Sequence, residues 1–259
     1  MQKKWVVAVL FVVAGFLRLY SIGYSDYQGD EIKALYNPKE ATSAQFFLEQ
    51  RKGPMQFLVT AGLKSVSNDY RNRTLVRLPF ALAGLGSVIV FYYLAKSLFN
   101  ENIALYSTMF FATNGFLIAF SRLVQYQSLV IFFGLLAVYL TKKYADSLQP
   151  PHLIVSPKYL ILASISLALS LLSHYDGVFF IPIILGILSP SLVLIVRPGG
   201  LSGPVLKHLT ISTALFLTFT CAFYIPFALN IAQSTTDYWT GRISGDVSGK
   251  ISSSRYLFS

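Results

Sequence analysis

What most constrains this chain is a succession of apolar runs, at about 5–22, 77–98, 103–120, 123–141, 158–175, 177–196 and 207–230. A helix crosses the bilayer's hydrocarbon layer with ~20 apolar residues. The runs lack the strict alternation of barrel strands, whose outward and inward residues differ. Charged residues make up 12% of the 259, about half the share of an ordinary soluble domain. The expected fold is therefore an all-α polytopic transmembrane helical bundle of about seven spans. No small-residue cleavage site follows residues 5–22, and further spans come later, so this run reads as an uncleaved first helix and not a signal peptide. The third and fourth runs are separated only by Ser121-Arg122 and suit short helices meeting at a polar elbow. Residues 53–66 are apolar but too short to span, which suits an interfacial helix in the loop after the first run.

Charge sets the expected orientation. Lys3, Lys4, Lys142, Lys143, Lys158, Arg197 and Lys207 fall on one side if the spans alternate, and the excess of cations marks that side as cytoplasmic. The N-terminus is then cytoplasmic, in a multi-pass protein of the plasma membrane. The opposite, external side collects nine of the eleven acids: Asp26, Asp30, Glu31, Glu40, Glu49, Asp69, Asp176, Asp237 and Asp246. Polar chemistry is concentrated there. The net charge of +10 follows from topology and contact with anionic lipid, and no nucleic-acid-binding module is visible. Cys221 lies alone in an apolar run, so no disulfide framework exists. Residues 1–230 read as one transmembrane domain. The Ser/Gly-rich stretch 231–259 reads as an external polar tail, the start of a loop cut short, so the chain is expected to be the N-terminal portion of something longer.

Four polar groups interrupt the apolar pattern. Asp30-Glu31 follows an aromatic turn ending in Gly29, which permits a tight backbone that aims the next side chains back at the membrane. Ionisable groups beside apolar spans are costly unless used, so a general base stands against the plainer reading of a solvated loop pair. Arg51-Lys52-Gly53-Pro54 offers two cations and a rigid turn, suited to a lipid-linked phosphate or simply to basic side chains snorkelling at a helix end. Arg122, with Gln125, Tyr126 and Gln127 beside it, must reach an aqueous cavity or an anion, and a guanidinium offers paired donors to phosphate. Ser173-His174-Tyr175-Asp176-Gly177 joins two spans with almost no loop. His174 and Asp176 suit mutual orientation or a hydrogen bond to sugar, or they merely cap a turn, and one His with one Asp is too few for a metal site.

In order along the chain, GFLRLYSIG, GDEIKAL, RKGPMQFLV, RLPFALAGLGSVIVFYYLAKSLF, AFSRLVQYQSLVIFFGLLAVYL and HYDGVFFIP resemble the GT-C superfamily of glycosyltransferases that use lipid-linked sugars. The likeness is to its protein O-mannosyltransferase and aminoarabinose transferase branch, and it covers about residues 5–230. It implies transfer of a sugar from a polyprenyl- or dolichyl-phosphate donor to a protein, lipid or glycan acceptor at the external face. Asp30 would be the catalytic base and Glu31 would assist it or hold the loop. Lys52, joined by Arg122, would bind the donor phosphate. Arg51, Gln127, His174, Tyr175 and Asp176 would contact substrate. Many relatives have an Asp where Gln127 stands, and some have an acid where Arg51 stands. No tightly bound cofactor or divalent metal is therefore expected. Two other classes remain open on these residues: a lipid-linked substrate transporter or flippase, which would grip phosphate without a base, and an inactive, truncated membrane protein.

Overall fold

The computed structural model describes residues 2–37, 43–48, 50, 53–67, 70–148, 156–196, 202–230 and 240. Every apolar run becomes helix, in the order α1 (Gln2–Leu19), α5 (Arg73–Leu98), α6 (Glu101–Thr113) with α7 (Gly115–Ser121), α8 (Gln127–Ser147), α9 (Lys158–Ser173), α10 (Phe180–Val196) and α11 (Ser202–Leu229). The short helices expected after the first run are α2 (Asp30–Ala34), α3 (Ser43–Leu48) and α4 (Met55–Val66). A 3₁₀ turn, Tyr175–Phe179, joins α9 to α10, and no strand occurs among the described residues.

The span count is where structure and expectation part. By length and composition three helices cross a membrane singly: Arg73–Leu98, Gln127–Ser147 and Gly203–Leu229. The pair α6 and α7, bent by 60° at their junction, has the form of a broken span, which would make four, or of a re-entrant loop. The expected seven counts shorter apolar helices as well, such as Lys158–Ser173. The elbow at 122–126 is present, and a second break lies earlier, at Asn114. Its side chain accepts from Leu117 N and starts a new helix in the middle of an apolar run.

The bundle is assembled around α5, which packs on α1, α6, α7 and α8, while α9 sits between α8 and α11. Alanines mark the close contacts. Ala14, Val88 and Ala112 join α1, α5 and α6, and Ala137, Leu167, Ile184 and Leu188 join α8, α9 and α10. Small residues let helices approach where lipid supplies no hydrophobic drive between them. At one end a third cluster (Ala34, Val76, Phe80, Val124 and Leu129) clamps α2 between α5 and the 122–126 elbow. The polar groups singled out in the sequence gather at that end. The tail 231–259 lies outside the described residues apart from Thr240.

Candidate active site

The acidic pair is split by its own helix. Gly29 takes φ +49°, a left-handed conformation that a side chain disfavours, and the chain enters α2 directly behind it. Asp30 and Glu31, adjacent on a single turn, then point apart. Glu31 is fully buried. Its carboxylate meets the guanidinium of Arg77 in a fork, with Nε donating to Oε1 at 2.9 Å and Nη2 to Oε2 at 2.8 Å. Glu31 also accepts from Gln28 N at 3.2 Å and from Val124 N at 3.0 Å. Arg77, itself 1% exposed, donates further to the carbonyls of Ile22, Ser25 and Asp26. This pair ties the loop after α1, the start of α2, α5 and the elbow into one unit. These bonds are those of the second task expected of Glu31, holding the loop. Its carboxylate is enclosed and faces no open space.

Asp30 is left at the surface, with a side chain 53% exposed and Lys33 Nζ 3.8 Å from Oδ1. Its neighbourhood comes from the other elements at this end. Tyr126 precedes α8, and its ring stacks on His174 with centroids 4.0 Å apart and planes 9° apart. The Tyr175 ring covers His174 from another direction, at 3.8 Å. Burial raises the Tyr126 phenol above its ordinary pKa, and the charges of Asp176, Tyr175 and Asp30 push the same way, so both carboxylates act on one ring. Asp176 is 47% exposed and its Oδ2 lies 2.9 Å from His174 Nδ1. That nitrogen is also 3.2 Å from Asp176 N. It accepts from the amide when unprotonated and donates to the carboxylate when protonated, and each arrangement excludes the other. The mouth thus presents two half-exposed carboxylates, Asp30 and Asp176, beside a pile of three rings.

The remaining expected residues divide. Arg122 lies at this end, but its guanidinium closes the C-terminus of α1: Nη1 donates to Leu17 O at 3.0 Å and Tyr20 O at 2.9 Å, and Nη2 reaches Ser21 O at 3.5 Å. A cation there complements the helix dipole and the unpaired carbonyls of the last turn. The geometry gives Arg122 this capping task. Gln127 opens α8, and its Oε1 is buried with no partner among the described residues. Arg51 and Lys52 lie outside the described residues. Gly53, next in sequence, takes φ +101°, and a Cβ on it would come within 2.3 Å of Leu172 O. The backbone at Gly53 is thus pressed against the last turn of α9, two residues from His174. Among the described residues no three of His, Cys, Asp and Glu gather in one place.

Comparison with known proteins bears on the family and the fold. The family model for dolichyl-phosphate-mannose-protein mannosyltransferases matches residues 41–241, more than three quarters of the chain. The chain belongs to that family. The solved structure of the S. cerevisiae protein O-mannosyltransferase Pmt1-Pmt2 complex bound to the sugar donor is similar in fold, with a TM-score of 0.68 at 23% identity. That match covers 91% of this chain and 34% of the yeast chain, so the present chain spans about a third of the length of that relative. No curated protein matches.

Two residues of the site escaped the sequence reading. Arg77 was visible only as a charge at the mouth of an apolar run, and an arginine inside such a run calls for a named partner. Tyr126 stood in the elbow among other polar residues, and its stacking on a residue 48 positions away has no local signature.

Proposed function

We propose that this family member is a membrane glycosyltransferase of the external face, moving a hexose, mannose by family, from a dolichyl- or polyprenyl-phosphate donor to a hydroxyl of a protein acceptor. The observation that carries the reading is the division of the acidic pair. Glu31 is locked to Arg77, so the α2 turn is fixed, and Asp30 is held half-exposed on that fixed turn. A base needs this combination of accessibility and a rigid mount.

In the reaction, the acceptor oxygen forms a bond to the anomeric carbon, and the bond from that carbon to the phosphate oxygen breaks. The lipid phosphate leaves with the electron pair. Asp30 takes the proton from the acceptor hydroxyl. Charge grows on the departing phosphate, and a cation beside it lowers that barrier. Lys52, which lies outside the described residues, is assigned this task on the family resemblance. Tyr175 and Asp176, with His174 orienting the carboxylate, suit the hydroxyl-rich face of a sugar, and Gln127, through its buried Oε1, and Arg51 are further candidates for substrate contact. The N-terminus is assigned to the cytoplasm of a plasma-membrane protein, which puts the mouth outside.

The substitution Asp30→Asn keeps size and shape but removes the base. Incubated with labelled polyprenyl-phosphate mannose and an acceptor peptide, it is expected to lower turnover by about 10²–10⁴-fold while donor binding persists. Consumption of donor at the normal rate would remove Asp30 from the chemistry and favour a carrier of lipid-linked substrate.

A further inference from the structure

Arg18 is the most deeply buried cation on α1, with no exposed surface, and no acid among the described residues answers it. Nη1 donates to Ala14 O at 3.2 Å on its own helix and to Ala112 O at 3.1 Å, beside the break between α6 and α7. Its Nε has no partner. Arg18 lines a small cavity, together with Gly84, Ser87, Ser128 and apolar side chains from α6, α7 and α8, in which the centre of a water-sized sphere has about 10 Å³ to occupy. Ser128, 4% exposed, is a second lining residue whose polar atom, Oγ, has no partner. The space depends on Gly84, where a Cβ would come within 2.3 Å of Ser121 Cβ and 3.5 Å of Arg18 Nε. None of the residues lining the cavity is a carboxylate.

We propose that this cavity binds a single monatomic anion of chloride size, held by Arg18 Nε and Ser128 Oγ. Both groups are donors with no partner among the described residues, and both residues line the same partly open cavity. A water there would satisfy hydrogen bonds but leave the buried guanidinium charge uncompensated, and buried charges are paired or bound to an ion. The cavity is too small for phosphate or a carboxylate ligand. The proposal does not rest on the transferase reading.

The test uses the full chain in a neutral detergent, melted in potassium salts at constant ionic strength as gluconate is replaced by chloride, bromide or iodide. Chloride is expected to raise the melting temperature saturably, as a ligand of the folded state does. The order expected is chloride, then bromide, with iodide excluded by size. Ser128→Ala, a change of one hydroxyl, is expected to weaken the apparent chloride affinity about tenfold. Identical melting in chloride and gluconate would overturn the site and leave a water in the cavity. A reversed order with iodide strongest, or a chloride effect unchanged in Ser128→Ala, would overturn it equally, since exposed surface cations behave that way.

Discussion

Two arginines are buried in this bundle, and they are supported in opposite ways. Arg77 meets a carboxylate in a fork and gives its other donors to three loop carbonyls. Arg18 has only helix carbonyls and an open cavity. At the active-site end the charge organises chain that would otherwise lack regular hydrogen bonds. Within the bundle the helices satisfy their own backbone, so a cation there has little to organise. The worth of a buried charge therefore lies less in its partner ion than in the backbone groups that depend on it.

The sharpest way to break this comparison is Glu31→Ala, which strands the Arg77 charge and two backbone amides. A loss of about 3–5 kcal/mol is expected, enough to prevent recovery of folded protein, measured by thermal unfolding in detergent. The double variant Glu31→Leu with Arg77→Met tests what the pair is for. Buried pairs are often replaced by apolar residues without loss. Here the carbonyls of Ile22, Ser25 and Asp26 and the amides of Gln28 and Val124 lose their partners together, so the double variant is expected to stay destabilised. Recovery to wild-type stability would show that the backbone anchoring is worth little.

Arg18→Met should be milder, about 1 kcal/mol, because an apolar side chain of similar length replaces a charge that no carboxylate holds. It should also abolish the halide dependence. The smallest effect concerns Tyr27, whose hydroxyl donates to Tyr70 O at 2.9 Å beneath the Arg77 guanidinium. Burial, opposed by the Arg77 charge, pushes its phenol up to about 12. The folded state thus keeps a proton that the unfolded chain, with a phenol near ~10, releases first. The stabilisation is full below pH ~10 and is lost as pH rises towards about 12. Tyr27→Phe is expected to flatten that alkaline slope in unfolding measurements and to remove one hydrogen bond.

Much of the fold was legible because hydropathy reports helices directly: each apolar run from 5–22 to 207–230 is helical. The break at Asn114 was not, because one Asn-Gly step barely dents an apolar run, although Asn is a strong helix N-cap and Gly follows it. The active site was legible as a set of positions and much less as a set of roles. Asp30 and Glu31 are adjacent acids in the chain, and only the pairing with Arg77, 46 residues away, separates them. Arg122 shows the same limit. A cation at a polar elbow has one sequence signature whether it meets a phosphate or the carbonyls that end a helix.

The 60° bend at Asn114 also changes how thick this protein is. The thirteen residues of α6 rise ~20 Å, and the seven of α7, tilted by the bend, add only ~5 Å along the same direction. That corner spans ~25 Å, whereas a hydrocarbon layer is ~30 Å thick. Lipid beside α6 and α7 must compress to meet it, or α7 must lie within the headgroup layer. In the first case the bilayer is locally thinned beside the end of α1. A donor whose phosphate sits at the lipid surface would be drawn deeper there, towards the level of Asp30.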